Sequence, residues 1–204
     1  MKRTLAIGDI HGGLKALTQV FEKAGVNNED KLMFLGDYVD GWSESAETMD
    51  YLLALTKSNE CVFIKGNHDE WCEEWLRTGI ADRTWLIHGG QETVNSYIGV
   101  TATTRTQHLH FFEQMPYYFI DEQNRLYIHA GFTSMHGPQK EFHSSNFSWD
   151  RTLWEMAITM DQRIKKDSIL LKITRNTMIQ RITLRPPTAD PDIPPIYIRK
   201  IMRC

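Results

Sequence analysis

The sequence predicts an α/β fold whose core is a parallel β-sheet. Two observations support this: short apolar runs alternate with segments of helical period, and each run leads into a glycine followed by polar residues. The three runs are Thr4-Leu5-Ala6-Ile7, Lys31-Leu32-Met33-Phe34-Leu35 and Cys61-Val62-Phe63-Ile64. Strands that alternate with helices in this way form βαβ units, in which neighbouring strands run parallel.

Helices are predicted between these strands and after them. Leu14, Leu17, Phe21 and Ala24 recur at helical spacing and stop at Gly25, which is typical of a helix C-terminus. Further helices are expected over residues 46–55, 69–76, 91–97 and 107–114. Two later strands, at 117–120 and 126–128, flank a turn.

Length, charge and cysteine content exclude several classes of protein. The 204 residues suit one domain, with or without a short appendage, and the net charge of −3 argues against a dedicated nucleic-acid-binding protein. No apolar run approaches the roughly 20 residues of a membrane span, and no secretory signal precedes Gly8. The cysteines, Cys61, Cys72 and Cys204, lack disulfide or metal-ligand spacing. We therefore expect a cytoplasmic protein without nucleic-acid or membrane partners.

Polar clusters follow the three N-terminal strands and one later strand. They are Gly8-Asp9-Ile10-His11-Gly12, Gly36-Asp37-Tyr38-Val39-Asp40, Gly66-Asn67-His68-Asp69 and His129-Ala130-Gly131. Ligands of open α/β sheets bind at the carboxyl ends of the strands, and Asp, His and Asn suit Mn, Fe or Zn. A single Gly-Asp after a strand is usually a turn, but four such clusters together predict a dinuclear metal centre.

The three N-terminal clusters resemble the signature of the calcineurin-like metallophosphoesterases, in their phosphoprotein phosphatase branch. The likeness covers about residues 4–155. It implies a catalytic domain over residues 1–160, built as a sandwich of two mixed β-sheets flanked by helices. It also implies two divalent metal ions, with Mn as the first choice and Fe or Zn as alternatives.

The resemblance assigns roles to individual residues. The implied metal ligands are Asp9 and His11 for the first ion, Asp37 as the bridge, and Asn67 and His129 for the second ion. A carboxylate can bridge two cations about 3.5–4 Å apart, which acidify a shared water for in-line attack on phosphorus.

Two further roles concern the leaving group and the phosphate. His68 is the implied general acid, oriented by Asp40, because a histidine held by a carboxylate can protonate a leaving alkoxide. The segment Ser148-Trp149-Asp150-Arg151 resembles a bacterial variant of the branch, in which the arginine contacts the substrate phosphate together with Asn67. The alternative for Arg151 is a surface ion pair at a helix start.

The sequence departs from the family pattern at two places. The usual Asp-Arg-Gly is Asp40-Gly41-Trp42 here, so one phosphate-binding arginine is missing, and Arg77 and Arg83 are expected at the surface. The family also carries a Gly-His motif after Trp-Asp-Arg, yet no glycine follows Gly137 and no histidine follows His143. His143 and His136 are the remaining candidates for that ligand.

The segment 161–204 is basic and rich in proline. Five of the seven prolines lie after residue 185, and residues 168–204 carry seven Lys/Arg against two Asp/Glu. A nucleotide string encoding Asp192-Ile193-Pro194-Pro195, read one base earlier, can encode Gly-His-Thr-Pro. We hypothesise that the chain leaves its ancestral reading frame between about residues 154 and 192, which alters the C-terminal edge of the fold; true divergence is the alternative.

The sequence therefore predicts a metal-dependent phosphomonoesterase, first of all a serine/threonine protein phosphatase acting on phosphorylated proteins. One alternative is a dinucleoside-polyphosphate or other small-molecule phosphoesterase, because fold does not fix substrate. Another is a catalytically impaired protein with an incomplete second metal site. The aromatic residues Trp71, Trp75, Trp85 and Tyr97 fit either a core or a groove beside the site, and their helical spacing favours a core.

Overall fold

The computed structural model describes residues 3–156, 158–159, 182–184 and 196–198. The chain divides into two units, Met1–Pro116 and Tyr117–Cys204. The predicted atypical segment 161–204 lies almost entirely outside the described residues, and so do the reading-frame positions at 192–195. Within the described part of the chain, none of the helices combines the length and the apolarity needed to cross a bilayer.

The first unit is built on the predicted parallel sheet. The strands β1 (Thr4–Ile7), β2 (Lys31–Phe34) and β3 (Glu60–Phe63) lie in the order β1-β2-β3. The register pairs Ile7 with Phe34 and Phe34 with Phe63, so the three carboxyl ends are level. The α/β class predicted from the alternating pattern is confirmed.

Helices pack on this sheet as the apolar spacing predicts. Helix α1 (Leu14–Ala24) ends at Gly25, which has the left-handed backbone of a C-cap, and α2 spans Ser45–Leu55. Leu17 and Phe21 of α1 are buried, and Phe34 stacks on Phe63 at 4.7 Å between ring centroids. Burial of such side chains supplies the main stabilisation of the sheet-helix layer.

The second half of the first unit is helical throughout. It contains α3 (Asn67–Thr78), α4 (Arg83–Trp85), a kinked turn (Leu86–Gly90), α5 (Gln91–Ser96) and α6 (Ala102–Glu113). Two features were not predicted: the short helix α4, and a start of α6 five residues before the expected 107. Side-chain caps explain both starts, because Asp82 accepts from Thr84 N and Trp85 N, and Thr101 accepts from Thr104 N.

The aromatic residues of this helical half form core, as their spacing favours. Trp85 is 1% exposed and Tyr97 is fully buried. Trp75, also buried, packs against both, with ring centroids 5.6 Å from Trp85 and 5.3 Å from Tyr97. Only Trp71 of the four is partly buried rather than buried.

The second unit contains short antiparallel pairs. Strand β4 (Tyr118–Ile120) pairs with β5 (Leu126–Ile128), and β6 (Ile182–Leu184) pairs with β7 (Ile196–Ile198). A 3-10 turn (Pro138–Lys140) and helix α7 (Asn146–Trp149) lie between the two pairs in sequence. Phe147 of α7 packs on Leu126 and Ile128, which gives this unit a small apolar cluster of its own.

Candidate metal centre

Predicted site residues follow the level carboxyl ends of β1, β2 and β3. Asp9 lies two residues past Ile7, Asp37 three past Phe34, and Asn67 four past Phe63. A ligand oxygen of Asp9 lies within 4.8 Å of one of Asp37. The sheet therefore brings these two carboxylates together, as the strand-end argument predicts.

The loops after β1 and β2 are locked to each other by backbone hydrogen bonds. The Asp37 carbonyl accepts from the N–H groups of Ile10 and His11 at 2.9 Å, and the His11 carbonyl accepts from Trp42 N at 3.0 Å. His11, Asp37 and Asp40 all have positive φ, at 52°, 58° and 73°. Non-glycine residues rarely adopt this backbone, and each such residue costs about 1–3 kcal/mol.

A buried carboxylate and two imidazoles form the centre of the site. Asp37 is 5% exposed, and it lies with His11 and His68 in a group whose ligand atoms are all within 4.8 Å of one another. His11 Nδ1 contacts the Val39 carbonyl at 3.1 Å, while His11 Nε2 lies 3.7 Å from Asp37 Oδ2. The carbonyl fixes the proton on Nδ1 and leaves the Nε2 lone pair facing the carboxylate, an orientation typical of metal-binding histidines.

This donor set fits a divalent transition-metal ion. Carboxylate and neutral imidazole are the ligands that Mn, Fe and Zn share, and the site contains no thiolate. Asn67, the first residue of α3, is half-buried and follows β3 at the same edge of the sheet, and its role as a ligand stays a prediction.

Gly66 lets β3 approach Asp37 closely. A Cβ at Gly66 would lie 2.3 Å from Asp37 Oδ1 and 2.5 Å from Asp37 N, both too short for any real contact. The N–H of His68 also donates to Asp37 Oδ1 at 3.2 Å. The glycine of the Gly-Asn-His-Asp cluster is therefore needed for space beside the carboxylate.

His68 is held by Asp40, as the sequence predicts. Its Nδ1 lies 2.6 Å from Asp40 Oδ2, and Asp40 is fully buried. Burial by itself lowers the pKa of His68, but the hydrogen bond to Asp40 and the charges of Asp37, Asp40 and Asp69 outweigh it and raise the pKa above 6.5. A raised pKa keeps more of the imidazole protonated near neutral pH, as a general acid requires.

Asp69 is a structural anchor that the sequence reasoning did not identify. Its Oδ2 accepts from Asp37 N and Gly66 N at 2.8 Å, and its Oδ1 accepts from Tyr38 N at 2.9 Å. Burial, followed by the charge of Asp37, raises the pKa of Asp69. The available signal was its position three residues after Gly66, because an acidic residue there can accept from the N-cap backbone N–H at the start of α3.

Two predicted site residues belong to the second unit. His129 follows β5 and is half-buried, and Arg151 is exposed at the start of a helical stretch over 152–156. Their segments contact each other: Ala130 N donates to the Phe147 carbonyl at 2.9 Å, and a Cβ at Gly131 would lie 2.8 Å from the Asp150 carbonyl. His136 and His143 are exposed. The roles of His129 and Arg151 stay predictions.

Neither Arg77 nor Arg83 replaces the arginine that Asp40-Gly41-Trp42 lacks. Gly41 stands at that position, and the residue after it, Trp42, is 66% exposed. Arg77 is at the surface, where it pairs with Glu73, Glu74 and Glu113, and Arg83 is exposed as well. The expectation that both arginines lie at the surface is confirmed.

A comparison with protein families matches the model for calcineurin-like phosphoesterases over residues 2–187. The asymmetrical bis(5'-nucleosyl)-tetraphosphatase of Anoxybacillus flavithermus is 30% identical over 139 residues, which are 61% of this chain and 56% of that protein. That of Geobacillus thermodenitrificans gives the same figures. The chain thus spans a little over half the length of these curated relatives.

Among solved structures, a candidate diadenosine tetraphosphatase matches with a TM-score of 0.54 at 18% identity, covering 72% of this chain and 58% of that one. A serine/threonine phosphatase from Saccharomyces cerevisiae matches with a TM-score of 0.50 at 21% identity, covering 74% and 44%. At these identities the likeness establishes the fold alone.

Proposed function

Because the chain belongs to the calcineurin-like phosphoesterase family, we propose that it hydrolyses phosphoric esters at a centre built on Asp9, His11 and Asp37. The observation that carries this proposal is that Asp37 has ligand atoms within 4.8 Å of those of both Asp9 and His11, at the carboxyl ends of parallel strands. Divalent ions at such a site polarise phosphoryl oxygens and acidify water.

The chain's own residues supply the remaining chemistry. Asp37 and His11 offer a carboxylate and a lone pair to a metal, with Asn67 beside them. His68 delivers a proton from Nε2 to the leaving oxygen, because its Nδ1 is engaged by Asp40 at 2.6 Å. On the family resemblance we also assign His129 as a further ligand and Arg151 as a phosphate contact.

For the substrate, we propose a dinucleoside polyphosphate before a phosphoprotein. The curated relatives at 30% identity are named bis(5'-nucleosyl)-tetraphosphatases, which favours this class over the serine/threonine phosphatase expected first from the sequence. The absence of the phosphate-binding arginine from Asp40-Gly41-Trp42 points the same way. The protein phosphatase stays the second candidate, supported by the resemblance of the Gly-Asp and Gly-Asn-His clusters to that branch.

The hydrolase proposal is tested with Mn²⁺ and p-nitrophenyl phosphate. We expect metal-dependent release of p-nitrophenol that Asp37→Asn lowers by at least about 100-fold, since removing electrostatic stabilisation of developing charge typically costs that much. Asp82→Asn is the matched control, because Asp82 caps α4 at the surface and asparagine caps equally well. A folded, metal-loaded wild type without release would contradict the proposal.

The substrate class is tested by comparing kcat/KM for diadenosine tetraphosphate with that for a phosphoserine peptide. The proposal expects the dinucleotide to be preferred by at least about tenfold, which corresponds to roughly 1.4 kcal/mol of transition-state stabilisation. A preference for the phosphopeptide would instead support the protein phosphatase.

A further inference from the structure

The carboxylate of Asp40 is held by more than His68. Trp85 Nε1–H donates to Asp40 Oδ2 at 2.7 Å, the same oxygen that contacts His68 Nδ1. Thr93 Oγ1–H donates to the other oxygen, Oδ1, at 2.6 Å. Asp40, Thr93 and Trp85 are all 1% exposed or less. Each oxygen of this buried carboxylate therefore receives a hydrogen bond from a side chain outside the metal-binding motifs.

The direction of these hydrogen bonds follows from simple counting of protons. Asp40 N donates to Thr93 Oγ1 at 2.9 Å, and Ser45 Oγ lies 2.9 Å from the same atom. A hydroxyl has one proton, and that of Thr93 points to the carboxylate, so Ser45 is the donor to Thr93. The Thr93 hydroxyl thus contacts both the backbone N–H and the carboxylate of Asp40.

The segment that carries Trp85 and Thr93 is shaped to reach Asp40. Between them lies the kinked turn Leu86–Gly90, in which Gly89 has a φ of 107° and its carbonyl accepts from Gly41 N at 3.1 Å. A Cβ at Gly89 would lie 2.7 Å from Gly41 N, and one at Gly90 would lie 2.4 Å from the Trp85 ring. Two glycines therefore permit a close contact of this turn with Gly41 and with Trp85.

We propose that Trp85 and Thr93 are positioning residues for proton transfer by His68: they fix the Asp40 carboxylate so that His68 Nδ1 is engaged and Nε2 faces the leaving group. The proposal rests on the proposed hydrolase function and on His68 as its general acid. It assigns a role in the reaction to a segment that the metal-binding motifs do not include.

The physical reason is that a carboxylate with fewer hydrogen bonds can adopt more than one orientation. Without the indole N–H or the hydroxyl, the buried Asp40 carboxylate loses a hydrogen bond and can rotate about its χ angles, so the His68 ring loses its single orientation. Binding of the phosphate is unchanged, because neither Trp85 nor Thr93 belongs to the predicted metal or phosphate contacts. The effect therefore falls on kcat rather than on KM.

The dependence of the rate on the leaving group distinguishes positioning of the proton donor from a purely structural role. Phenyl phosphate needs a proton on its departing oxygen, whereas 2,4-dinitrophenyl phosphate departs readily without one. With Mn²⁺ present, we expect Trp85→Phe and Thr93→Val to lower kcat for phenyl phosphate by about tenfold or more, a part of the 100-fold or larger contribution of a general acid. For the dinitrophenyl ester we expect a change of less than about threefold.

Matched variants separate positioning from packing. Thr93→Ser keeps the hydroxyl and is expected to retain the wild-type ratio of the two rates. Trp75→Phe changes a neighbouring buried indole that packs against the rings of Trp85 and Tyr97. We expect it to lower both rates equally or not at all. Equal losses for both esters in Trp85→Phe and Thr93→Val would overturn the proposal.

A spectroscopic measurement decides the question independently of turnover. The proton between His68 Nδ1 and Asp40 is expected as a low-field imidazole resonance in the NMR spectrum of the wild type, shifted or broadened in Thr93→Val and restored in Thr93→Ser. An unchanged resonance in Thr93→Val contradicts the proposal even if Trp85→Phe fails to fold. A wild type inactive on both esters would refute the hydrolase function instead, while this resonance still tests the positioning.

Discussion

His11, Asp37 and Asp40 combine a reactive side chain with a backbone conformation that favours glycine. Among the residues that the structure describes, Asn124 is the only other non-glycine residue with positive φ. The strain of about 1–3 kcal/mol at each position is compensated by the hydrogen bonds that join the loops after β1 and β2. Strain concentrated on three predicted site residues is typical of a functional site.

Gly66 is required by the lack of space beside Asp37, where no side chain fits. We expect Gly66→Ala to destabilise the protein by about 1–3 kcal/mol, because the new methyl group overlaps the Asp37 carboxylate and its backbone nitrogen. We also expect weaker Mn²⁺ binding. The measurements are urea unfolding and isothermal titration with Mn²⁺.

Gly79→Ala is the control for that prediction. Gly79 has a φ of 75°, yet a Cβ there meets nothing within 4 Å, so the substitution adds only conformational strain of about 1 kcal/mol. Undiminished Mn²⁺ affinity in Gly66→Ala would contradict the role assigned to this glycine.

The sequence predicts which polar side chains meet at one edge of the sheet because their signals are local. Asp9, Asp37 and Asn67 each follow a strand, and the parallel register aligns those strand ends. The contacts of Trp85 with Asp40 could not be predicted in the same way. These residues are 45 positions apart, and no periodic pattern links an indole to a distant carboxylate.

At the scale of elements, apolar spacing and glycine positions predict β1, α1 and β5 to the residue. Helix α7 was not predicted, and two other errors lie where a side-chain cap starts a helix: Asp82 before α4 and Thr101 before α6. These caps are single polar residues in polar surroundings. Their hydrogen bonds form only once the following turn is helical, and so the sequence pattern alone did not reveal them.

The loop over residues 133–143 is organised by one carboxylate. Glu141 accepts from the backbone N–H groups of Thr133, Ser134, Phe142 and His143 and from the Asn146 amide. The hydrogen bond from Thr133 and those from His143 and Ser134 lower the pKa of Glu141 from 4.5 to about 2.

This loop is expected to lose order in acid. The pKa of Glu141 is depressed on folding, so its stabilisation is present above pH 4.5 and is lost as the pH falls through about 2. The measurement is the pH dependence of the Thr133 and Ser134 amide chemical shifts, with Glu141→Gln as the control without titration. A transition centred at pH 4.5 would show that these hydrogen bonds do not lower the pKa of Glu141.

At the scale of the whole molecule, the aligned part of this chain corresponds to little more than half of each curated relative's length. The alignment takes in 61% of this chain and 56% of the Anoxybacillus protein. We keep the proposal that the segment 161–204 departs from the ancestral reading frame, because no glycine follows Gly137 and the charge drifts to basic.

The gene sequence tests the reading-frame proposal directly. We expect the shifted frame after about codon 154 to run without stop codons to a Gly-His pair near residue 192. Stop codons before that position would contradict the frameshift and support true divergence.

The central claim is that Asp9, His11 and Asp37 converge to hold metal ions. Anomalous diffraction at the manganese edge, from crystals of the full chain grown with Mn²⁺, tests this most directly. We predict a peak at bonding distance from an Asp37 carboxylate oxygen and His11 Nε2, and its loss in Asp37→Asn. An anomalous map without density beside Asp37, from crystals in which Mn²⁺ binding was verified, would contradict the account.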